Sequence, residues 1–464
     1  METFIKIAQF LLSLSLLIVL HEWGHYFFAR LFKTRVNKFY LFFDFLFPVP
    51  TLLNFSLFKK KVGDTEFGIG WFPLGGYVQI DGMQDETQDA EKLKSPPQPW
   101  EFRSKKPWQR LLIMMGGILV NVVVAFIIYA GILFVWGEKK IVNSSLKNGI
   151  TVGDSLMYKF GFKNGDKIVS VNGETVEYFD DVPKKVLIGG KDVVVERNGA
   201  NVNIALPVDV LGQLSTKKLD KKGLLNIRMP NIVGNIADDK FKKESNAYKA
   251  GILPNDKIVK IDSASINYWD DISTYTSVLK DSATVAVTVN RDNKELVYKV
   301  QLDQNKKLGL AYLGADSLNN IGWLQINKKS YGFFESFGAG VKKTFSKLGD
   351  YISQFKLIFS PSTGAYKGMG GFASMTQAFG GSWDWEYFWG ITAFFSVALA
   401  FMNFLPIPML DGGYILFTLI EMITGKKLPD RIMEKINMVG FFIIIGLMLF
   451  TNGNDVFRKL KGWF

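Results

Sequence analysis

Four stretches of the chain are apolar almost without interruption: residues 4–29, 111–136, 387–405 and 436–450. Each is close to the roughly 20 residues that carry a helix across a hydrocarbon core, although the fourth is short. The pattern predicts four membrane spans. The first is read as a retained span, because no small-residue cleavage site follows it and polar groups occupy its second half. Between the second and third runs the pattern turns polar. Alternating β-branched runs there, Val193–Val195 and Val285–Val287, predict strands. Further on, Phe337, Val341, Phe345, Leu348 and Ile352 recur at helical spacing, with Lys342, Lys343 and Lys347 on the other face. This predicts an amphipathic helix over 328–360, lying at the membrane surface or packed on the polar domains.

The polar middle repeats itself. The segment from Gly161 to Val171 recurs from Gly251 to Ile261, and Tyr178-Phe-Asp-Asp-Val182 recurs as Tyr268-Trp-Asp-Asp-Ile272. Each alternating run leads to an arginine, Arg197 or Arg291. The repeat is as long as a whole small domain, so it predicts a tandem pair, 141–222 and 223–327, rather than a solenoid.

Composition then narrows the chemistry. The chain has no Cys, which excludes disulfides and thiolate metal sites. Any metal must use His and carboxylates. The net charge of +12 invites nucleic acid as a partner, but much of the Lys and Arg flanks the apolar runs. Arg30 and Lys33 follow the first, Lys105, Lys106 and Arg110 precede the second, and Lys426, Lys427 and Arg431 separate the third from the fourth. That is the positive-inside pattern. With no stacking or recognition-helix motif beside it, nucleic acid drops out. The three basic loops are expected in the cytoplasm, with both termini and the polar middle outside; Lys139 and Lys140, after the second span, run against this.

Both histidines of the chain fall in His21-Glu22-Trp23-Gly24-His25. On a helix, positions i and i+4 share a face, so both imidazoles can reach one metal. Glu22 stands beside it, able to take a proton from a water. Ionisable groups inside an apolar span are costly and usually functional; the alternative is a pair of interfacial histidines with a snorkelling glutamate. A catalytic zinc takes three protein ligands, and without further His or Cys the third must be a carboxylate. The best candidate is Asp411 in Asn403-Phe-Leu-Pro-Ile-Pro-Met-Leu-Asp411-Gly-Gly413, where two Pro and two Gly break the backbone beside the third span. Broken backbone at membrane depth needs protein or water to satisfy it. Taken alone, that segment also reads as a surface loop.

Together, H-E-x-x-H on the first span and N-x-x-P-x-P-x-L-D-G-G on a later one resemble the site-2 proteases, a family of intramembrane zinc metalloproteases. The two copies of the repeat resemble PDZ domains, with the G-D-x-I-x-x-V-N-G signature kept in the first copy to Gly173 and altered in the second at Asn255, Asp262 and Ser263. The tandem insert makes the nearest branch that of the bacterial regulator-of-sigma-E proteases. The resemblance covers essentially the whole chain and implies a polytopic α-helical membrane protein of about four spans, with a membrane-associated β-hairpin and two inserted PDZ-like α+β domains. Its parts would be an N-terminal membrane core over 1–140, with the hairpin in 55–82, then the PDZ pair, the amphipathic helix and a C-terminal membrane core over 361–464.

The resemblance also implies roles. His21, His25 and Asp411 would hold Zn2+, Glu22 would be the general base, and Asn403 would contact substrate near the scissile bond. The family hairpin ends in P-L-G-G-Y-V, matched by Pro73 to Val78. A substrate helix must unwind to expose its amide, and an open strand edge would pair the freed backbone. Phe67, Gly68, Ile69 and Gly70 are the residues expected at that edge, the glycines allowing close approach. The family has G-P-x-x-N on the second span, where this chain has Gly117, Ile118 and Asn121. Asn121 is retained as a substrate contact, and the missing Pro puts a kink in doubt. The expected substrates are single-span membrane proteins, such as a pre-trimmed anti-sigma factor or remnant signal peptides, met in the bacterial inner membrane with the PDZ pair in the periplasm. The PDZ pair would filter substrates by size or bind peptide carboxyl termini. Two rivals are a membrane-anchored PDZ adaptor with a non-catalytic metal site, against which the intact Glu22 argues, and an ion transporter, which leaves the PDZ pair unexplained.

Overall fold

The computed structural model describes residues 1–46, 53–73, 75–83, 96–217, 223–235 and 243–462. Leu74, within the P-L-G-G-Y-V motif, and residues 218–222, at the expected junction of the two repeats, lie outside the described residues. The chain forms two compact units. The first comprises Met1–Glu138, Ser330–Lys356 and Met369–Phe464; the second comprises Lys139–Lys329 and Leu357–Gly368.

The first unit contains α1 (Glu2–Leu31), α2 (Pro107–Val135), α3 (Phe333–Ile358), α4 (Phe372–Gln377), α5 (Trp385–Phe404), α6 (Asp411–Thr424) and α7 (Asp430–Leu460). Among the described residues, α1, α2, α5 and α7 are long and apolar enough to cross a membrane. The fourth run looked short, yet α7 has 31 residues. Its polar ends extend the helix beyond the apolar stretch. The helices α1 and α2 meet through glycine: a Cβ on Gly24 would lie 2.3 Å from the Gly116 carbonyl oxygen. In lipid, where apolar contact gives little drive, small residues let backbones approach and pack.

The same rule places α3. The sequence pattern predicted an amphipathic helix at the membrane surface or on the polar domains. Its buried residues are Ser336, Gly340 and Thr344. A Cβ on Gly340 would lie 2.8 Å from the Ala130 backbone nitrogen of α2, and the Tyr351 ring packs edge-on against Phe394 and Phe401 of α5. The helix packs on two spans: Phe333 and Phe345 also meet Phe134 and Phe126 of α2 and Phe355 meets Phe401 of α5, while Phe334, at 87% exposure, points outward.

The predicted hairpin is larger than expected. Strands β1 (Val36–Leu41), β2 (Ser56–Val62), β3 (Thr65–Gly70) and β4 (Tyr77–Ile80) form one sheet in the order β2-β3-β1-β4. The β1–β3 pair is parallel and the other two pairs are antiparallel. Tyr26 of α1 packs edge-on against Phe39 and Phe67, which holds the sheet to the first span.

The second unit carries two four-stranded sheets built from the two copies of the repeat. Each copy closes the same clamp. Arg197 donates to both carboxylate oxygens of Asp166 and to the Gly161 carbonyl; Arg291 does so to Asp256 and Gly251. The altered positions of the second copy keep its turns. Asn255 (φ 73°) replaces Gly165 (φ 91°), and Asp262 repeats the φ of 51° found at Asn172. Asn and Asp tolerate the left-handed region better than other side chains. The strand Leu225–Ile227, expected in the second copy, pairs instead with Ile150–Val152 of the first, and the copies meet where Asn164 donates to Asp270 (2.8 Å) and Arg228, just after that strand, stacks 3.7 Å over the Tyr268 ring.

Candidate metal centre

His21 and His25 stand one turn apart on α1 and are 7% and 6% exposed. Asp411 opens α6 after the broken segment that follows α5. The chain turns there so tightly that a Cβ on Gly412 would lie 2.0 Å from the Leu405 carbonyl oxygen, which explains glycine at that position. The turn aims Asp411 at the histidines. Its Oδ2 lies 3.2 Å from His21 Nε2 and 3.3 Å from His25 Nε2, and the two Nε2 atoms are 3.3 Å apart.

This triangle has the size of a tetrahedral face. Ligand bonds of about 2.0 Å give a ligand-to-ligand edge of about 3.3 Å. Asp411 Oδ2 is buried without a hydrogen-bond donor, as expected of an atom whose partner is a cation. Among the described residues this is the group of three His and carboxylate side chains that could hold a metal ion.

The imidazoles are oriented from behind. His25 Nδ1 lies 2.9 Å from the Ile113 carbonyl, so Nδ1 carries the proton and the Nε2 lone pair faces inward. His21 Nδ1 lies 3.0 Å from the Asn121 side-chain amide. An amide's oxygen and nitrogen are assigned from its hydrogen bonds. With the His21 Nε2 lone pair directed inward, Nδ1–H donates to Asn121 Oδ1, an oxygen that otherwise has no partner. Gly117 makes room for both rings: a Cβ there would lie 2.5 Å from His21 Cε1 and from His25 Nε2.

Asn121 was expected to meet substrate. It is fully buried behind His21 and is absent from the cavity wall. The structure makes it a partner of a histidine, on a helix α2 that runs unbroken through Ile118. Asn403, in the last turn of α5, places its amide 3.2 Å from His21 Nε2.

The centre opens on a cavity of about 510 Å³. Its lining includes Glu22, Gly76, Tyr77 and Val78 beside β4, and Glu434 and Asn437 of α7. Phe67, Gly68, Ile69 and Gly70 do not line it. They form β3, which is paired on both sides and offers no open edge. The two glycines serve the fold itself: Cβ atoms there would lie 2.3 Å from the Tyr40 ring and 2.1 Å from the Phe43 carbonyl oxygen. Among the described residues the open edge beside the centre is β4. A Cβ on Gly76 would lie 3.6 Å from Glu22 Cγ, and Val78 lines the cavity with Glu22. The P-L-G-G-Y-V motif marked β4 in the sequence. The α7 residues carried only a weak signal, two polar side chains three apart at the start of an apolar run.

Residues 9–447 match Peptidase family M50. A putative zinc metalloprotease of Neisseria meningitidis is 26% identical over 98% of this chain and 99% of its own length. Another of Rickettsia conorii is 28% identical over 97% and 98%. The regulator of sigma E protease of Haemophilus influenzae is 24% identical over 98% and 99%. A match of that length, joined to a zinc-sized donor triangle between apolar helices, means that the chain belongs to peptidase family M50 and is a zinc metalloprotease of the membrane.

Proposed function

We propose that the enzyme hydrolyses peptide bonds inside the spans of single-span membrane proteins, with His21, His25 and Asp411 holding zinc and Glu22 as general base. The observation that carries this is that His21, Glu22 and His25 stand within an apolar helix: Glu22 lies nine residues, about 14 Å at 1.5 Å per residue, before the end of α1, a helix long and apolar enough to cross a membrane. Zinc, when bound, supplies Lewis acidity that acidifies water and polarises a carbonyl. Glu22 accepts the proton of the attacking water and returns it to the leaving amine. Asn403 offers an N–H to the developing oxyanion.

The substrate segment must be unwound, and its freed backbone groups need partners. The edge of β4 supplies them by strand addition, in place of the 67–70 segment. The repeated β domains act as a PDZ pair outside the membrane, screening substrates by size or holding carboxyl termini. The Haemophilus relative is named a regulator of sigma E protease, which fits a substrate that controls a sigma factor, such as a pre-trimmed anti-sigma factor in a stress response. The basic loops beside the spans support a bacterial inner membrane with the repeats and both termini in the periplasm.

The test is cleavage of a single-span protein by purified wild type and Glu22→Gln, with zinc measured in both. Wild type should cleave and Glu22→Gln should not, with about one zinc in each. Substantial cleavage by Glu22→Gln would remove the base assignment. Val78→Pro, which deletes an amide on the β4 edge, should lose cleavage and keep zinc.

A further inference from the structure

One wall of the cavity is a single face of α7. Glu434, Asn437, Met438 and Phe441 line it at positions i, i+3, i+4 and i+7. Elsewhere α7 is the least buried span: 6% of its apolar window is buried, against 28% in α1 and 39% in α2. The contact it does make is close, since a Cβ on Gly440 would lie 2.4 Å from the Pro408 carbonyl oxygen, just before Asp411.

Two polar groups on this face have no partner among the described residues. Asn437 Oδ1 is buried and has no hydrogen-bond donor among the described residues. Glu434 makes no ion pair among the described residues. Other polar groups of the cavity are engaged: the Tyr77 hydroxyl donates to Asp44 (2.9 Å), and Tyr414 has a partner. A buried acceptor without a donor is unfavourable, and an unwound peptide brings exactly the donors that are missing, its freed backbone N–H groups. Glu434 lies at the end of α7 that follows Lys426 and Lys427. By the same positive-inside rule, a substrate span carries Lys or Arg at that level.

We propose that this face of α7 positions the substrate: Asn437 Oδ1 accepts a backbone N–H of the unwound segment, and Glu434 pairs with a Lys or Arg flanking the apolar run. The two residues are about 5 Å apart along the helix, which an extended chain covers in roughly two residues. The basic flank therefore sets which bond reaches the metal centre. The inference rests on the intramembrane-protease function and adds to it a preference for substrates with a basic flank.

The experiment uses two fluorescent single-span peptides that differ only in Lys or Glu at the flank. Binding is measured on the full-length Glu22→Gln protein in nanodiscs, and cleavage on the wild type. The Lys peptide should bind roughly fivefold tighter, and Glu434→Lys should invert the order. Asn437→Leu should raise KM roughly tenfold for both peptides, with kcat within about twofold and zinc content unchanged, and Asn437→Asp, which keeps an acceptor, should restore KM. A preference unaltered by Glu434→Lys, or an Asn437→Leu enzyme with wild-type KM, would overturn the proposal. Because binding is read on the Glu22→Gln protein, failure of wild type to cleave would count against the protease function, while an inverted preference would still support the α7 wall.

Discussion

Replacing Gly117 by Ala tests whether the metal centre depends on the α1–α2 contact. The new Cβ would sit 2.5 Å from both His21 Cε1 and His25 Nε2, where an ordinary contact starts at 3.4 Å. The rings must retreat by about 0.9 Å, or the helices must part. The rings have little freedom, since the Ile113 carbonyl holds one at 2.9 Å and Asn121 the other at 3.0 Å. Metal–ligand distances tolerate only about 0.2 Å. We therefore expect zinc affinity to fall at least as far as on loss of an outer-shell partner, about 10–100-fold, or about 1.4–2.7 kcal/mol. The control is Gly131→Ala in the same helix, where a Cβ meets nothing within 4 Å. It should bind zinc normally and melt no lower than wild type. The assay is competition for zinc with a chromogenic chelator, with thermal unfolding recorded on both variants. Equal zinc affinity in the two variants would refute the reasoning, because it would show that the imidazoles do not occupy the space the glycine leaves.

Asn121→Ala removes the acceptor behind His21 and should weaken zinc about 10–100-fold, with KM unchanged once zinc is saturating; a rise in KM alone would return Asn121 to the substrate. Arg291→Ala leaves the 1%-exposed Asp256 without its cation and should destabilise the second copy by about 3 kcal/mol, seen as faster hydrogen exchange there with zinc retained. Asp455 accepts from the Gly371 and Ser374 amides and from the Ser374 hydroxyl, tying the end of α7 to α4. Asp455→Ala should lower stability by about 1–2 kcal/mol, measured by thermal unfolding in detergent.

What could be read from the residues alone was what is local. Apolar runs long enough to span a bilayer form helices because no other backbone arrangement satisfies itself in lipid. His21 and His25 share a face because a helix repeats every 3.6 residues, whatever packs against it. The absence of Cys and of a third His called for a carboxylate, and the broken backbone beside the third span made Asp411 the best candidate. The repeated Gly–Asp segments and the arginines after them marked two copies of one domain, and the Arg–Asp clamps are what those residues form.

Tertiary structure decided what depends on neighbours distant in sequence. Whether β3 is an edge or an interior strand turns on β1, which pairs with it from another part of the chain, so Gly68 and Gly70 could not be distinguished in sequence from residues that admit a substrate. Asn121 and a substrate contact look alike until α1 crosses α2 and brings His21 within hydrogen-bond distance. The partners of α3 were also set by distant segments: Ser336, Gly340 and Thr344 are buried, and Phe333, Phe345, Tyr351 and Phe355 meet rings of α2 and α5. Helical and strand periods are set by each segment's own backbone, whereas an open edge, a ring with no room to move and a buried oxygen without a donor exist only once separate segments meet in space.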